Sequence, residues 1–128
     1  MNRTGFVCHE HYFWHNTGAS AGPLPYSLVN QIDAHPESPQ TKRRLLGLLE
    51  VSGVLDQLVR IKPRRATVEE IGRYHTAAYI ERVQALSAGV GGDAGQLTPI
   101  GTGSFEIAQL SAGGCLEGLD AIVKGQVD

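Results

Sequence analysis

HPESPQTKRRLLGLLEVSGVLDQL, running from His35 to Leu58, decides how this chain is read. A His-Pro-Glu-x-Pro turn and a basic cluster hand over to an amphipathic helix from about Gln40. Leu45, Leu48 and Leu49 fall at i, i+3 and i+4, with Leu46 widening the stripe. Ser52-Gly53 can end or bend that helix, because glycine tolerates the left-handed conformation of a helix C-terminus. VLDQLVR then predicts about two further turns, and Val59 to Lys62 a short extended piece closed by Pro63.

Upstream, Gly5 to Cys8 is a short β-prone run, and the polar and aromatic residues after it read as a chain leaving a strand end. Asn16 to Pro39 is rich in Gly, Pro, Ser and Asn, too long for a simple connection. Downstream, Thr67-Val-Glu-Glu70 fits a capping box: a hydroxyl at the N-cap and a carboxylate three residues later satisfy each other's free backbone N–H. It opens a short helix to about Tyr74. A second helix is expected from Thr76 to Ser87, with Tyr79, Ile80, Val83 and Leu86 on one side.

SAGVGGDAGQLTPIGTG follows, a glycine-dense loop that lacks the GK[ST] ending of a phosphate loop. Ser104 to Lys124 is the strongest helical pattern. Phe105, Ala108, Ala112 and Cys115 make one line, widened by Ile107, Leu110, Leu119, Ile122 and Val123. Gly113-Gly114 in mid-helix costs roughly 1 kcal/mol per glycine against alanine. That cost predicts another element packed very close there. The last four residues, Gly-Gln-Val-Asp, read as a cap and turn leading toward a strand.

The 128 residues form one domain by length, with 41% hydrophobic and 19% charged residues, an ordinary globular composition. A net charge of −2 gives no electrostatic case for nucleic acid or an anionic membrane. The Lys42, Arg43, Arg44 and Lys62, Arg64, Arg65 runs read as solvated surface. Cys8 and Cys115 lie far apart without CxxC spacing, as expected of free thiols in a reducing cytoplasm. No stretch is long and apolar enough for a bilayer span, and the start lacks the pattern of a signal peptide. A cytoplasmic location is expected.

His9, Glu10, His11 and His15 form the most ligand-like cluster. In an extended segment His9 and His11 would point the same way, compatible with zinc, although three or four ligands must converge. The alternative is a polar loop whose Tyr12, Phe13 and Trp14 do the packing. His35 can act in chemistry or order its loop, and His75 reads as a residue at a helix start. Asp93 can grip a substrate backbone or stabilise a turn. No Ser-His-Asp or Cys-His order is defensible, and Cys115 has no reason for a lowered pKa. By these residues alone the chain shows no complete active site.

Several stretches in series resemble the zinc-dependent histone deacetylase and acetylpolyamine amidohydrolase family, in its bacterial class II branch. TGFVCHEHYFWH is similar to that family's opening strand and first active-site loop. HPESPQTKRRLLGLLEVSGVLDQL resembles its HPExP helix, and RIKPRRATVEEIGRYHTAAYIERVQALS the PRxAT…HTxxYI segment. GGDAGQLTPIGTGSFEIAQLSAGG resembles the second loop and its following helix. The resemblance covers essentially the whole chain.

It implies an α/β, arginase/deacetylase-like parent fold, of which this chain is the N-terminal, mostly α-helical part with one or two short strands. The single partial domain 1–128 divides into a strand plus first loop (1–39), helices (40–87), a glycine-rich second loop (88–103) and a long helix (104–124). The family holds zinc with two Asp and one His, uses a tandem His pair for acid/base catalysis and polarises the amide with a Tyr. Those motifs are absent from this sequence, so no catalytic or metal residue is carried over, and zinc is implied only for the longer enzyme.

The resemblance implies pocket-mouth roles for Tyr12, Trp14, His15, His35 and Glu37. The family's second loop carries a substrate-gripping acid. Gln96 and Leu97 precede Thr98-Pro99 here, so that acid is displaced to Asp93 or lost. The implied function is the N-terminal portion of an amidohydrolase, inactive alone, with acetyl-lysine or acetylpolyamine substrates in the full-length enzyme. The other reading is an oligomeric binding or assembly module. Expected partners are a second copy or the C-terminal part of the enzyme. A small helical ligand-binding protein, the third reading, would lack a strand at Gly5–Cys8 or helices near 41–51 and 104–124.

Overall fold

The computed structural model describes residues 3–20, 24 and 27–128. The long first loop therefore has residues 21–23 and 25–26 outside the described set. Two three-residue strands, β1 (Gly5–Val7) and β4 (Val59–Ile61), pair in parallel, with Gly5 opposite Val59 and Val7 opposite Ile61. Antiparallel two-residue pairs join β2 (Ala19–Ser20) to β3 (Asp33–Ala34) and β5 (Gly92–Asp93) to β6 (Pro99–Ile100). Among the described residues six short strands thus stand where one or two were expected. The additional four are two-residue bridges inside the loops, too short to leave an alternating sequence pattern.

Helix α1 spans Gln40–Val51 and stops where expected, because Gly53 takes a left-handed φ of 73°. The two further turns predicted from VLDQLVR do not form. A single 3-10 turn, Leu55–Gln57, buries Leu55, and the chain is already extended at Leu58. Pairing of Val59–Ile61 with β1 overrides the helical periodicity there. The apolar stripe of α1 is also rotated from the expected one. Leu48 is exposed, whereas Leu46 and Leu49, with the half-exposed Leu45 at the rim, line a small cavity with Phe6 and Phe13.

Helix α2 (Val68–Ile71) carries the complete capping box. Thr67 Oγ1 accepts from Glu70 N–H at 3.1 Å, and the Glu70 carboxylate accepts from Thr67 N–H at 2.8 Å. It is shorter than the predicted run to Tyr74. Helix α3 (Ala77–Ala88) starts on Thr76, whose hydroxyl accepts from Tyr79 N–H.

Helix α4 (Ser104–Val123) organises the rest, packing on β1, β4 and α3. Its buried face is Ser104, Phe105, Gly113, Gly114 and Ala121. Of the line predicted through Phe105, Ala108, Ala112 and Cys115, Phe105 is buried, whereas Cys115 and the widening Leu119, Ile122 and Val123 turn outward. Gly113 and Gly114 show why. A Cβ on Gly113 would lie 2.0 Å from Arg64 O, and one on Gly114 would lie 2.6 Å from the Tyr12 hydroxyl and 2.8 Å from Val7 Cγ1. This is the close approach the paired glycines predicted.

The segment that presses against Gly113 is bonded to α4 one turn earlier. Ala66 N–H donates to Gln109 O at 2.8 Å, and Gln109 Nε2 donates back to Ala66 O at 3.0 Å. Arg64, read from sequence as solvated surface, is a hub. Its guanidinium bonds Glu70 at 2.7 Å and Glu117 at 2.9 Å, tying α2 to α4. The Glu70 carboxyl is held down to about 2, first by its bond to Arg64 and then by Thr67 N–H. Among the described residues no helix is long and apolar enough to cross a membrane.

Candidate functional site

The first loop leaves β1 as a 3-10 turn, Glu10–Trp14, not as the extended piece that would have aligned His9 with His11. His9 Nδ1 accepts from His11 N–H at 3.1 Å and starts the turn. Phe13 is buried, with the Arg43 guanidinium stacked 4.6 Å from its ring centroid and bonded to Glu10. Arg43 is therefore part of the packing and not a free surface charge.

Tyr12 is half-buried over Gly114. Its hydroxyl donates to Leu110 O at 3.1 Å, and burial raises its pKa. Trp14 stays 62% exposed, its indole N–H donating to Glu10 Oε1 at 3.2 Å. It does not pack into the core as the polar-loop reading supposed.

His15 ends the turn and points at α4. Its Nδ1 lies 3.0 Å from Ser104 Oγ, which already accepts from Gly101 N–H at 3.0 Å. The hydroxyl keeps its hydrogen and a second lone pair, so it can meet either tautomer of a neutral imidazole. Burial lowers the His15 pKa and favours that neutral form.

The second loop is built around Asp93. One carboxylate oxygen accepts from Gly95 N–H at 2.8 Å and from Thr98 N–H at 2.9 Å. These backbone donors, Gly95 first, hold its pKa below the usual aspartate range. Arg82 donates to Asp93 O at 3.0 Å from α3. Between the two accepted N–H groups, Gln96 and Leu97 sit at φ 52° and 62°, in the left-handed region that non-glycine residues seldom adopt. Of the two roles open to Asp93, turn formation is the one seen.

His35 and Glu37 remain at the start of α1, where His35 Nδ1 accepts from Glu37 N–H at 3.1 Å. His35 thereby orders its own turn. The structure brings Tyr12 and His15 together along one cavity of about 240 Å³, closed by Ser104, Ile107, Ala108 and Ser111. His15 also borders a larger groove of about 490 Å³ that runs between α3, the second loop and α4, with Tyr74, His75, Tyr79, Ala94 and Thr98 in its walls.

Among the described residues, no three His, Cys, Asp or Glu side chains gather where a metal could sit. The His9 and His11 rings face each other 4.9 Å apart, while His15 is committed to Ser104. The His9, His11 and His15 side chains thus do not converge as a zinc centre would require.

Sequence reasoning missed two serines. Ser104 joins the two loops. Ser87, also buried, accepts from Phe105 N–H at 2.9 Å and lies 3.2 Å from the Glu106 carboxylate, fixing α3 to the first turn of α4. The only available signal was position, since Ser104 follows Gly103 at the start of the clearest helix in the chain.

Residues 35–128 match the model of the histone deacetylase domain. The chain is 46% identical to the histone deacetylase-like amidohydrolase of Pseudomonas aeruginosa over 98% of its own length and 34% of that protein. It is 29% identical to histone deacetylase HDA1 of Saccharomyces cerevisiae over 79% of its length and 17% of that protein. The chain therefore spans about a third or less of the length of the curated relatives it matches. A crystal structure of the HDA15 HD domain superimposes on the whole chain with a TM-score of 0.82 at 23% identity, covering 34% of that structure and sharing its fold. On the family match over 94 consecutive positions and the close relative, the chain belongs to the histone deacetylase domain family.

Proposed function

We propose that this chain is the N-terminal portion of a zinc-dependent, class II-like deacetylase amidohydrolase and does no catalysis by itself. Its job on this reading is to frame the pocket mouth. β1, β4 and α4 form the frame, and the two loops stand at one end of α4, joined through His15 and Ser104. That junction is the observation that carries the proposal. It holds the loops resembling the family's two active-site loops against each other, the second of them and Ser104 lying within the family match. Tyr12, Trp14 and His15 belong to the first loop and Asp93 to the second, with His35 and Glu37 at the foot of α1.

The metal and the acid/base groups of such an enzyme belong to the remaining two thirds of a full-length relative, so no step of the reaction is assigned to residues of this chain. Acetyl-lysine or acetylpolyamine amides are the substrates this reading implies for a full-length enzyme. A cytoplasmic location fits the two unpaired thiols, Cys8 and Cys115. The test is elemental analysis and an amidase assay on the purified chain. The expected result is no stoichiometric zinc and no turnover. A zinc-loaded chain that hydrolyses an acetyl-lysine peptide would refute it.

A second reading, an oligomeric assembly module, is favoured by one observation: Leu119, Ile122 and Val123 are exposed along one flank of α4. Apolar patches of this kind mark interfaces. Light scattering separates the two, because a monodisperse monomer at high concentration counts against the module.

A further inference from the structure

Helix α1 contains a glycine that its own chain does not explain. Gly47, Gly113, Gly114 and Gly118 lie inside the described helices. A Cβ on any of the three in α4 would meet another segment within 4 Å, whereas one on Gly47 would meet nothing at that range. Glycine inside a helix weakens it relative to alanine. In α4 the close approach of β1 and the Arg64 segment uses the missing side chains. In α1 no described residue uses the space.

Gly47 belongs to an outward line. Leu46 and Leu49 turn toward Phe6 and Phe13, so the far side of the helix is Arg44, Gly47, Leu48 and Val51, spaced i, i+3, i+4 and i+7. Leu48 is 64% exposed and Val51 89%.

The charges on α1 also run against the helix. Lys42, Arg43 and Arg44 lie near its start and Glu50 near its end, whereas the helix dipole favours anions at the start and cations at the end. Arg43 is held by Glu10 and the Phe13 ring. Among the described residues the Arg44 and Glu50 side chains have no ion pair. Six positions apart, they cannot meet on one helix, where only residues three or four apart are neighbours.

These features complement a copy of themselves. A second α1 turned end for end brings its Glu50 and its negative C-terminal pole beside Arg44, and its Arg44 beside Glu50. With the two-fold axis between Gly47 and Leu48, each of these residues meets its own copy, and each Val51 lies under the other chain's Arg44 stem. The paired glycines let the backbones approach closely.

We propose that the outer face of α1 is a docking surface for a second copy of this chain, α1 packed antiparallel on α1 about a two-fold axis. The charge pattern selects this occupant, because the same face supplies both signs in reverse order. The proposal rests on neither reading of the function above. Zinc content and amidase activity do not bear on this face, and the α4 flank takes no part in it.

The test is sedimentation equilibrium on the parent chain, Arg44→Glu, Glu50→Arg and an equimolar mixture of those two variants. The parent is expected to form dimers by millimolar concentration. Each single variant sets like charges together at both ends of the contact and should raise the dimer Kd at least tenfold. The mixture should return to within about threefold of the parent, because each chain supplies the charge the other lacks. Gly47→Leu should also raise Kd at least tenfold, with a urea midpoint no lower than the parent's, which separates lost contact from lost folding. A parent chain that stays monomeric at millimolar concentration overturns the proposal. So does a dimer that survives both charge variants, or a mixture no tighter than its components. If Leu119→Ser with Ile122→Ser abolishes association and Arg44→Glu does not, the contact belongs to the α4 flank and the proposal falls as well.

Discussion

From Gly89 to Gly103 the backbone is tied to itself and to its neighbours, whereas the described part of Gly18 to Ala34 is tied almost wholly to itself. In the second loop Asp93 collects two N–H donors, Ala94 N–H reaches Thr98 O, Thr102 Oγ1 reaches Gly89 O, and Gly103 N–H reaches Ser87 O. In the first loop Ser27 and Asn30 close a small turn on each other, and Asp33 caps its own neighbour. Leu28 and Val29 at that turn are exposed almost completely. Only the base of the first loop is fixed, where Thr17 is buried and Asn16 lies against Gly101. Side-chain acceptors placed on backbone donors hold the second loop without a core of its own. In the first loop the Asn16, Ser27 and Asp33 side chains each accept from a backbone N–H one or two positions on, shorter spans than the five positions from Asp93 to Thr98.

The comparison assumes that α4 holds both loops at its base, and the largest expected effect attacks that assumption. Gly113→Ala puts a methyl group against Arg64 O and is expected to destabilise the chain by about 3 kcal/mol. Urea denaturation reads this as a lowered midpoint, and an unchanged midpoint would show that the two segments separate without cost.

His15→Ala comes next, at about 1–3 kcal/mol, because it strips the buried Ser104 hydroxyl of its imidazole partner. Exchange should accelerate at the base of the first loop while the Asp93 turn keeps its rates. The His15 link also carries a pH signature. Its folded pKa lies below the ordinary imidazole value of about 6.5, so the folded chain takes up its proton later than the unfolded chain does. Stability is full above that value and declines as pH falls through the lowered folded pKa. Urea midpoints at pH 7.5 and pH 5.5 should therefore differ more in the parent chain than in His15→Gln.

A smaller effect is local. Asp93→Ala should speed exchange at the Gly95 and Thr98 amides, whereas Asp33→Ala should alter only Ala34. The carboxyl of Asp93 titrates below its ordinary range. Its hold on the loop persists above about pH 4 and is lost as pH falls through the lower folded value. Equal responses of both loops to acid would erase the contrast between them. Smallest of all, Leu28→Thr should change stability by no more than about 0.5 kcal/mol, since the side chain touches nothing that folding buries.

What was legible in the sequence follows the range of the interaction that decides each feature. The Thr67–Glu70 capping box and the helix start at Thr76 are settled within four residues, and the structure has both. The close approach at Gly113-Gly114 was legible as a cost that needed a reason, although its partners Arg64, Tyr12 and Val7 were not. VLDQLVR failed because a partner strand more than fifty positions away claims Val59–Ile61. The His9–His11 pair failed because a 3-10 turn, begun by His9 itself, replaced the extended segment that the zinc argument needed. In the candidate site, Asp93 was marked with both of its possible roles. Ser104 was invisible, since its partner His15 stands 89 positions earlier.

Those separations bear on how the chain is made. Tyr12 finds its acceptor 98 positions downstream and Arg3 its partner 125 downstream, while β1 itself pairs only once β4 exists. A ribosome releases the N-terminal strand first, yet almost every contact that fixes it is synthesised later. β1 is completed only when α4 and the two residues that follow Gln126 have been made. Contacts of such long range fold slowly and leave the unpaired strand open to misassociation in the interval. Val127 and Asp128 thus help latch a strand made more than a hundred positions before them.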